Sequence, residues 1–300
     1  MTGTGPVVAT ARPLAADLLS LTKPRIISLL LVTTAMPMYA AGSPSLMTVF
    51  IVMVGGYLMA GGANAVNMYF DRDIDTVMAR TRTRPIPSGR MTPQAVMAFG
   101  MASATAATFL LGRFVNVLTA GLALGGFYAY VFVYTRWLKR SSPQNIVLGG
   151  AAGAFPPLVG WAAVTNQVDI RATLLFLIVF YWTPPHFWAL ALNKQVDYGR
   201  AGVPMAPNAW GTHETIDQML WYSVLLVALT LLPACIGMLG VPYLLSALLL
   251  GGLFLRGAWR VWRQRDSGEW SAPAWKFYKY SLLYLALLFL AMAVDRHWPL

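Results

Sequence analysis

Charged side chains are concentrated in one short stretch of a chain that is otherwise apolar. Of its 300 residues 57% are hydrophobic and 11% are charged, yet the 24 residues from Asn67 to Arg90 contain three aspartates and five arginines. If the apolar segment before this stretch continues as a helix, Asn67, Asp71 and Asp75 repeat every four residues and share one face. Mg²⁺ prefers hard oxygen ligands and commonly takes several of them from substrate phosphates. The spacing therefore predicts a magnesium site that binds a diphosphate.

Arginines follow this acidic row, among them Arg80 and Arg84. Guanidinium groups bind phosphate oxygens well. Carboxylates alone would repel a diphosphate, whereas carboxylates that hold a metal and are backed by arginines would bind it. The alternative is a solvated loop whose acids pair with its own arginines, and we favour that interpretation for Arg72, Asp73 and Arg82.

A second polar loop repeats the pattern more weakly. In "ALALNKQVDYGRAGVPM", Asn193 and Asp197 are four residues apart, and Lys194 and Arg200 lie nearby. Taken alone this is an ordinary helix end. It gains weight because it occupies the corresponding place in the second half of the chain, which predicts a further metal contact at Asp197.

Apolar segments long enough to cross a bilayer account for most of the remaining sequence. A membrane-spanning helix needs about 20 apolar residues. Nine such stretches are present, and none contains Asp or Glu: 26–42, 46–66, 94–112, 115–135, 144–164, 171–192, 218–238, 241–258 and 277–294. The sequence therefore predicts an all-α polytopic bundle of about nine transmembrane helices, with an N-terminal segment at 1–25 and a single membrane domain at 26–300.

Basic residues are distributed unequally between the two sides of this bundle. With alternate loops assigned to opposite sides, 19 of the 22 Lys and Arg residues fall on one side. The positive-inside rule places that side and the N-terminus in the cytoplasm, and the C-terminus on the far side. Most of the net charge of +11 is explained by topology, so we expect no nucleic acid partner. Cys235 lies inside the seventh stretch, where we expect a buried, inert thiol.

Several motifs resemble the UbiA superfamily of intramembrane prenyltransferases. The row Asn67-Asp71-Asp75 is similar to its N-x-x-x-D-x-x-x-D motif. Four further stretches narrow the resemblance to the protohaem IX farnesyltransferase family and extend it over nearly the whole chain: "LTKPRIISLLLVTT" (21–34), "ARTRTRPIPSGR" (79–90), "YWTPPHFWALAL" (181–192) and "DYGRAGVPM" (197–205).

This resemblance implies a reaction and a set of site residues. The reaction is Mg²⁺-dependent transfer of farnesyl from farnesyl diphosphate to a vinyl group of haem B, which gives haem O and diphosphate. The implied metal ligands, the last three also catalytic, are Asn67, Asp71, Asp75 and Asp197. The implied substrate contacts, beside Asn67, are Lys23, Arg25, Arg80, Arg84, Lys194, Tyr198, His186 and Trp188. The second motif departs from many superfamily members, which carry Asp where this chain has Asn193.

The resemblance also implies a setting. The site faces the cytoplasm, and the chain lies in the inner membrane of a bacterial cell, with the lipid bilayer around it. Farnesyl diphosphate and haem B are the expected small-molecule partners. The enzyme that converts haem O to haem A is an expected protein partner.

His186 is the only one of three histidines that lies within an apolar stretch. Pro184 and Pro185 precede it and are expected to disturb the helix, and the rings of Phe187 and Trp188 could pack against a porphyrin. A histidine hydrogen-bonded between helices is the alternative. The resemblance favours a role at the haem site, either as an iron ligand through neutral imidazole or in positioning the macrocycle.

Two rival functions remain at this stage. One is a UbiA-type enzyme with a quinone precursor or chlorophyllide as acceptor, which the "TPPHFW" stretch argues against. The other is a small-solute transporter. A transporter is expected to carry ionisable groups near the bilayer midplane, whereas the charges here stop at one interface.

Overall fold

The computed structural model describes residues 13–297, and within that range it contains helices and no strand. Nine of these helices are long and apolar enough to cross a membrane, as the sequence predicted, and we number them as spans 1 to 9. They are Pro24–Ala41, Leu46–Phe70, Pro93–Phe114, Val117–Ser141, Asn145–Thr165, Ile170–Asn193, Thr212–Cys235, Val241–Arg263 and Ser271–Arg296. The expected segment 1–25 is described from Pro13 onward, and its division from the membrane domain stays a prediction.

The spans form a closed ring. Each span packs against its neighbours in sequence, and span 9 also packs against spans 1 and 6. Spans 5 and 6 are the most enclosed. Spans 2 and 3 approach closely because Gly62 faces Gly100: a Cβ added at Gly62 would lie 2.6 Å from the Gly100 carbonyl oxygen. Small residues permit such contacts between membrane helices.

Short helices cover the basic end of the bundle. They are Leu14–Thr22 before span 1, Arg72–Val77 after span 2, and Gln195–Arg200 with Ala206–Ala209 after span 6. Lys23 joins the first of these to span 1 with a left-handed backbone (φ 55°), a conformation uncommon for a residue other than glycine. This turn sends the Lys23 side chain toward span 2, where it contacts Asn64.

Span 4 changes helical geometry midway. Residues Ala129–Leu138 form a π-helix between two α-helical segments, and the Thr135 hydroxyl donates to the Tyr130 carbonyl at 2.8 Å. A π segment rotates the residues that follow it relative to an α-helix and is frequent at functional sites. Here it brings Thr135 and Lys139 against span 2.

Two expectations were wrong. Cys235 is exposed rather than buried, because span 7 ends at this residue and the side chain lies at the far end of the bundle. Span 6 continues without a break from Ile170 to Asn193, although Pro184 and Pro185 lie inside it. The tight packing of span 6 against spans 5, 7 and 9 keeps the segment helical despite the missing N–H donors.

Candidate active site

The predicted row of Asn67, Asp71 and Asp75 is buried at the basic end of span 2, with exposures of 4%, 1% and 2%. Span 2 ends at Phe70, but the i to i+4 pattern continues through the break. The Asp71 amide donates to the Asn67 carbonyl at 2.9 Å, and the Asp75 amide donates to the Asp71 carbonyl at 2.8 Å. The three side chains therefore follow one face, as the spacing predicted.

Cations from two other parts of the chain pair with this row. Lys139 of span 4 donates to Asp71 Oδ2 at 2.6 Å, and Arg84 donates to Asp75 Oδ2 at 2.6 Å. The Asn67 amide donates to Asp71 Oδ2 at 2.8 Å and to the Thr135 hydroxyl at 3.1 Å. Buried carboxylates are costly unless paired and hydrogen-bonded, and these contacts meet that requirement.

Lys23 completes the cluster. Its ammonium donates to Asn67 Oδ1 at 3.1 Å and to Asn64 Oδ1 at 3.2 Å. Desolvation, followed by repulsion from Arg84, lowers the pKa of Lys23 to about 7. An approaching anion would favour the charged form of this side chain. We call Lys23, Asn67, Asp71, Asp75, Arg84 and Lys139 the polar cluster.

A metal fits the polar cluster at Asp71. Its Oδ1 is buried and has no hydrogen-bond partner among the described residues, although Oδ2 accepts two hydrogen bonds. Across the same part of the chain, no group of three or more His, Cys, Asp or Glu side chains is arranged to hold a metal by itself. Mg²⁺ commonly takes one or two carboxylates together with substrate phosphate, so two aspartates and a diphosphate form a suitable set.

Other charges around the loop have structural partners. Arg140 forms two hydrogen bonds of 2.7 Å with Asp73, and this pairing lowers the pKa of Asp73 to about 2. Arg90 donates to both oxygens of the buried Asp17, which fixes the helix Leu14–Thr22 over the loop. Asp73 is exposed and paired, as the loop interpretation predicted, but its partner is an arginine of span 4 and not one of the loop's own. Arg25 is exposed, and within the described residues its side chain has no partner.

The second loop is less tightly paired. The Asn193 amide donates to the Ala189 carbonyl, and its oxygen accepts from Ser271 at 2.7 Å. Half-buried Asp197 has no side-chain hydrogen bond or ion pair within the described residues, and the same holds for Lys194.

Tyr198 links the two loops. Burial raises the pKa of Tyr198, and its phenol lies within electrostatic range of Arg80 and Arg84 from the first loop and of Asp197 from its own. The side chain also packs against the large buried core that surrounds span 6. Arg80 itself is exposed.

His186 lies deeper in the bundle, between spans 6 and 9. Its ring stacks on Trp182 at 4.3 Å and on Tyr278 at 4.8 Å between centroids. Its Nδ1 is 2.6 Å from the Ser281 hydroxyl, whereas Nε2 has no hydrogen-bond partner among the described residues. These contacts match the alternative of an interhelical histidine, and they leave Nε2 as the nitrogen open to a ligand.

Trp188 faces the opposite side of span 6. It is fully buried against Trp210 and Tyr222, and its indole Nε1 has no partner among the described residues. It lines a cavity of about 450 Å³ between the basic ends of spans 5, 6 and 7. Positions i and i+2 of a helix do not face each other, so His186 and Trp188 do not share one ligand surface.

Lys139 and Thr135 were missed by the sequence analysis. Lys139 belongs to the basic run 136–140, which was interpreted only as a topology signal. A pattern that assumes 3.6 residues per turn does not place either residue against span 2, because the π-helix changes the register of span 4. The remaining signal was the presence of a lysine among arginines, which is too weak to identify a site.

Comparisons with known proteins agree with this architecture. The family model described as UbiA prenyltransferase family matches residues 28–288. A protoheme IX farnesyltransferase from Roseiflexus sp. (strain RS-1) is 55% identical over 98% of this chain and 55% of its own length. The chain thus spans about half the length of the first curated relatives that it matches.

A second relative has nearly the same length as this chain. A protoheme IX farnesyltransferase from Symbiobacterium thermophilum is 50% identical over 93% of each protein. A solved structure of a UbiA homolog from Archaeoglobus fulgidus bound to DMAPP and Mg²⁺ covers 93% of this chain and 99% of its own, with a TM-score of 0.64 at 15% identity. At that identity the structural match supports the fold alone. This integral membrane protein belongs to the UbiA prenyltransferase family, and within it to the protoheme IX farnesyltransferases.

Proposed function

We propose that this protein transfers a farnesyl group from farnesyl diphosphate to a vinyl group of haem B, and so forms haem O. The observation that carries the proposal is the polar cluster, in which a buried Asp71 keeps one oxygen without a hydrogen bond while Lys23, Arg84 and Lys139 contact the row. A cluster of this composition binds a metal and a diphosphate together. The names of the relatives support the choice of prenyl donor and acceptor.

The residues of the polar cluster, and Asp197 of the second loop, have distinct proposed roles. Asp71 and Asp75 hold Mg²⁺, Asn67 orients Asp71, and Asp197 reaches the metal and diphosphate from the second loop. Bound Mg²⁺ supplies charge stabilisation to the diphosphate as it leaves. Lys23 and Arg84 bind the same oxygens, and positive charge on these side chains stabilises the leaving group more than the intact ester.

The chain also shields the reacting carbon. The allylic C–O bond breaks with its electron pair on the diphosphate, and the vinyl carbon of haem forms the new C–C bond with C1 of farnesyl. Water then adds to the haem-side cation, loses a proton and leaves the hydroxyethyl group of haem O. The apolar interior of the bundle keeps water from the farnesyl cation until the vinyl group attacks.

Mass spectrometry of the extracted haem tests this function. Purified protein incubated with haem B, farnesyl diphosphate and Mg²⁺ is expected to give haem O, and omission of any one component is expected to abolish it. A panel with a quinone precursor and chlorophyllide distinguishes the rival acceptors. Prenylation of either rival in preference to haem B would overturn the proposed acceptor.

We place haem B near His186, with Nε2 as the group that contacts it. Replacement of His186 by Ala is expected to weaken haem B binding and haem O formation and to leave affinity for a farnesyl diphosphate analogue nearly intact. Ser281→Ala is the matched control, because it removes the Nδ1 partner but keeps the imidazole. A Soret titration and a separate analogue isotherm measure the two affinities, and equal loss of both ligands would identify a structural histidine.

The charge asymmetry supports a location in the bacterial inner membrane with the polar cluster on the cytoplasmic side. Single cysteines at two exposed positions, Thr83 and Ser43, test this in a Cys235→Ser background. An impermeant maleimide added to intact cells is expected to label Ser43→Cys and not Thr83→Cys. The reverse pattern would overturn the orientation.

A further inference from the structure

A second cluster of cations lies away from the polar cluster, at the basic ends of spans 8 and 9. A groove of about 560 Å³ runs between these spans. Arg256 and Arg260 of span 8 line it from one side and Lys276 of span 9 from the other. The spans are in close contact at its floor, where a Cβ added at Gly257 would lie 2.9 Å from Phe277.

Within residues 13–297, these three cations are not paired with an anion. Arg256, Arg260 and Lys276 are exposed, and among the described residues none of their side chains makes an ion pair or hydrogen bond. Arg265, close by in the connecting turn, differs because it pairs with Asp217 and Asp266. Three unpaired positive charges around one groove favour an anion with several oxygens.

The groove continues into an apolar surface that is suited to a hydrocarbon chain. Leu253 and Leu249 follow Arg260 and Arg256 along one face of span 8, and Leu283 and Leu287 follow Lys276 along span 9. Each of these leucines is more than a third exposed. From Arg260 to Leu249 the helix rises about 16 Å at 1.5 Å per residue, and one leaflet of hydrocarbon is about 15 Å thick.

We propose that this groove binds one anionic phospholipid of the leaflet next to the basic end, with its phosphate on Arg256, Arg260 and Lys276 and an acyl chain along the leucines. Basic pockets between membrane helices on this side bind anionic headgroups. Farnesyl diphosphate has the same general chemistry, an anionic phosphate head on an apolar chain. The continuity of the apolar face over a full leaflet, outside the ring of helices and away from the polar cluster, favours a resident lipid.

Native mass spectrometry of the purified full chain tests the proposal with dioleoylphosphatidylglycerol and dioleoylphosphatidylcholine. The wild type is expected to retain one phosphatidylglycerol at concentrations where phosphatidylcholine does not bind. The double variant Arg260→Gln/Lys276→Gln is expected to lose about tenfold or more in phosphatidylglycerol affinity, because two headgroup contacts are removed.

The control is Arg263→Gln/Lys279→Gln, which removes one Arg and one Lys from the same two spans without altering the groove. It is expected to bind phosphatidylglycerol like the wild type, and Arg256→Gln alone is expected to give an intermediate loss. Equal loss in the control, equal binding of both lipids, or undiminished phosphatidylglycerol binding in the double variant would each overturn the site. Displacement of the lipid by farnesyl diphosphate at stoichiometric concentration, with inorganic diphosphate inactive, would reassign it to the prenyl donor.

Discussion

The two long loops at the basic end share a spacing of asparagine and aspartate but differ in how their charges are satisfied. In the first loop, Asp71 and Asp75 are buried and each is paired with a cation at 2.6 Å. In the second, Asp197 is half-buried and unpaired within the described residues, and Asn193 is held by Ala189 and Ser271. The same short motif therefore gives a rigid charged cluster in one half of the chain and an open carboxylate in the other.

This difference suggests that the two loops contribute differently to catalysis and to substrate binding. A preorganised cluster stabilises developing charge without reorganisation at the moment of reaction. An unpaired carboxylate at the edge of a site can take a metal when the substrate brings it, because no protein cation has to be displaced first. We therefore expect the first loop to dominate turnover and the second to contribute mainly to substrate affinity.

The largest expected effect follows from loss of charge in the first loop. Asp71→Asn and Asp75→Asn keep size but remove the carboxylates proposed to hold Mg²⁺, so turnover at saturating Mg²⁺ is expected to fall at least about 100-fold. Asp73→Asn is the matched control, because this neighbouring acid is 61% exposed and pairs with Arg140. Near-wild-type turnover from both cluster variants would refute the metal assignment.

Lys139 comes next, because it neutralises Asp71. Lys139→Gln removes the cation that contacts Asp71 at 2.6 Å and leaves only Arg140, 3.9 Å from the other carboxylate oxygen. Removal of one partner of a buried pair costs about 3 kcal/mol. We expect a lower melting temperature without metal, a larger stabilisation by Mg²⁺ than in the wild type, and turnover reduced about tenfold or more. Arg136→Gln, in the same span, removes an exposed cation that lies over Phe70 and is expected to change neither. If Mg²⁺ stabilises Lys139→Gln and Arg136→Gln to the same extent, Lys139 does not influence metal binding.

The position of Lys139 beside Asp71 could not be predicted from the sequence. Hydropathy located all nine spans, and the spacing of Asn67, Asp71 and Asp75 located one face of the cluster, because both depend on regular helical periodicity. The cation opposite Asp71 depends on the π-helix of span 4 and on the packing of that span against span 2. A pattern of 3.6 residues per turn predicts neither the π-helix in span 4 nor the pairing of Lys139 with Asp71, which lies 68 residues earlier in the chain.

The contacts of His186 could not be predicted from the sequence for the same reason. Its position inside span 6 was predicted, but Ser281 is 95 residues away and nothing in either segment indicates the pairing. The placement of Trp188 beside His186 in sequence suggested a shared surface, and the helix separates them. Spacing predicts which residues of one helix share a face. The packing of span 9 against span 6 determines which residues that face contacts.

Asp197 is expected to show a smaller effect than the first loop. Asp197→Asn removes the unpaired carboxylate of the second loop, and we expect KM for farnesyl diphosphate to rise about tenfold while kcat changes little. Steady-state kinetics at several Mg²⁺ concentrations measure both constants beside Asp73→Asn. A fall in kcat as large as that of Asp71→Asn would show that the two loops contribute equally to the transition state.

The smallest effect is expected at Asn193, the first residue of the weaker motif in the second loop. In this chain the Asn193 amide donates to the Ala189 carbonyl at 3.1 Å, and its oxygen accepts from Ser271 at 2.7 Å. A carboxylate can keep the second contact but cannot make the first. Asn193→Asp is therefore expected to lower stability by about 1 kcal/mol and to change turnover less than about threefold.

Thermal unfolding in detergent and turnover at saturating Mg²⁺ measure the two quantities on the same preparation. Ser271→Ala is the matched variant, because it removes the hydroxyl that holds Asn193 and leaves every proposed metal ligand in place. If Asn193 is a structural tie between span 6 and the start of span 9, the two variants lose stability together and keep activity. If Asn193→Asp instead gains affinity for Mg²⁺ and Ser271→Ala does not, residue 193 lies close enough to the metal to act as a ligand, as proposed for Asp71 and Asp75 of the first loop.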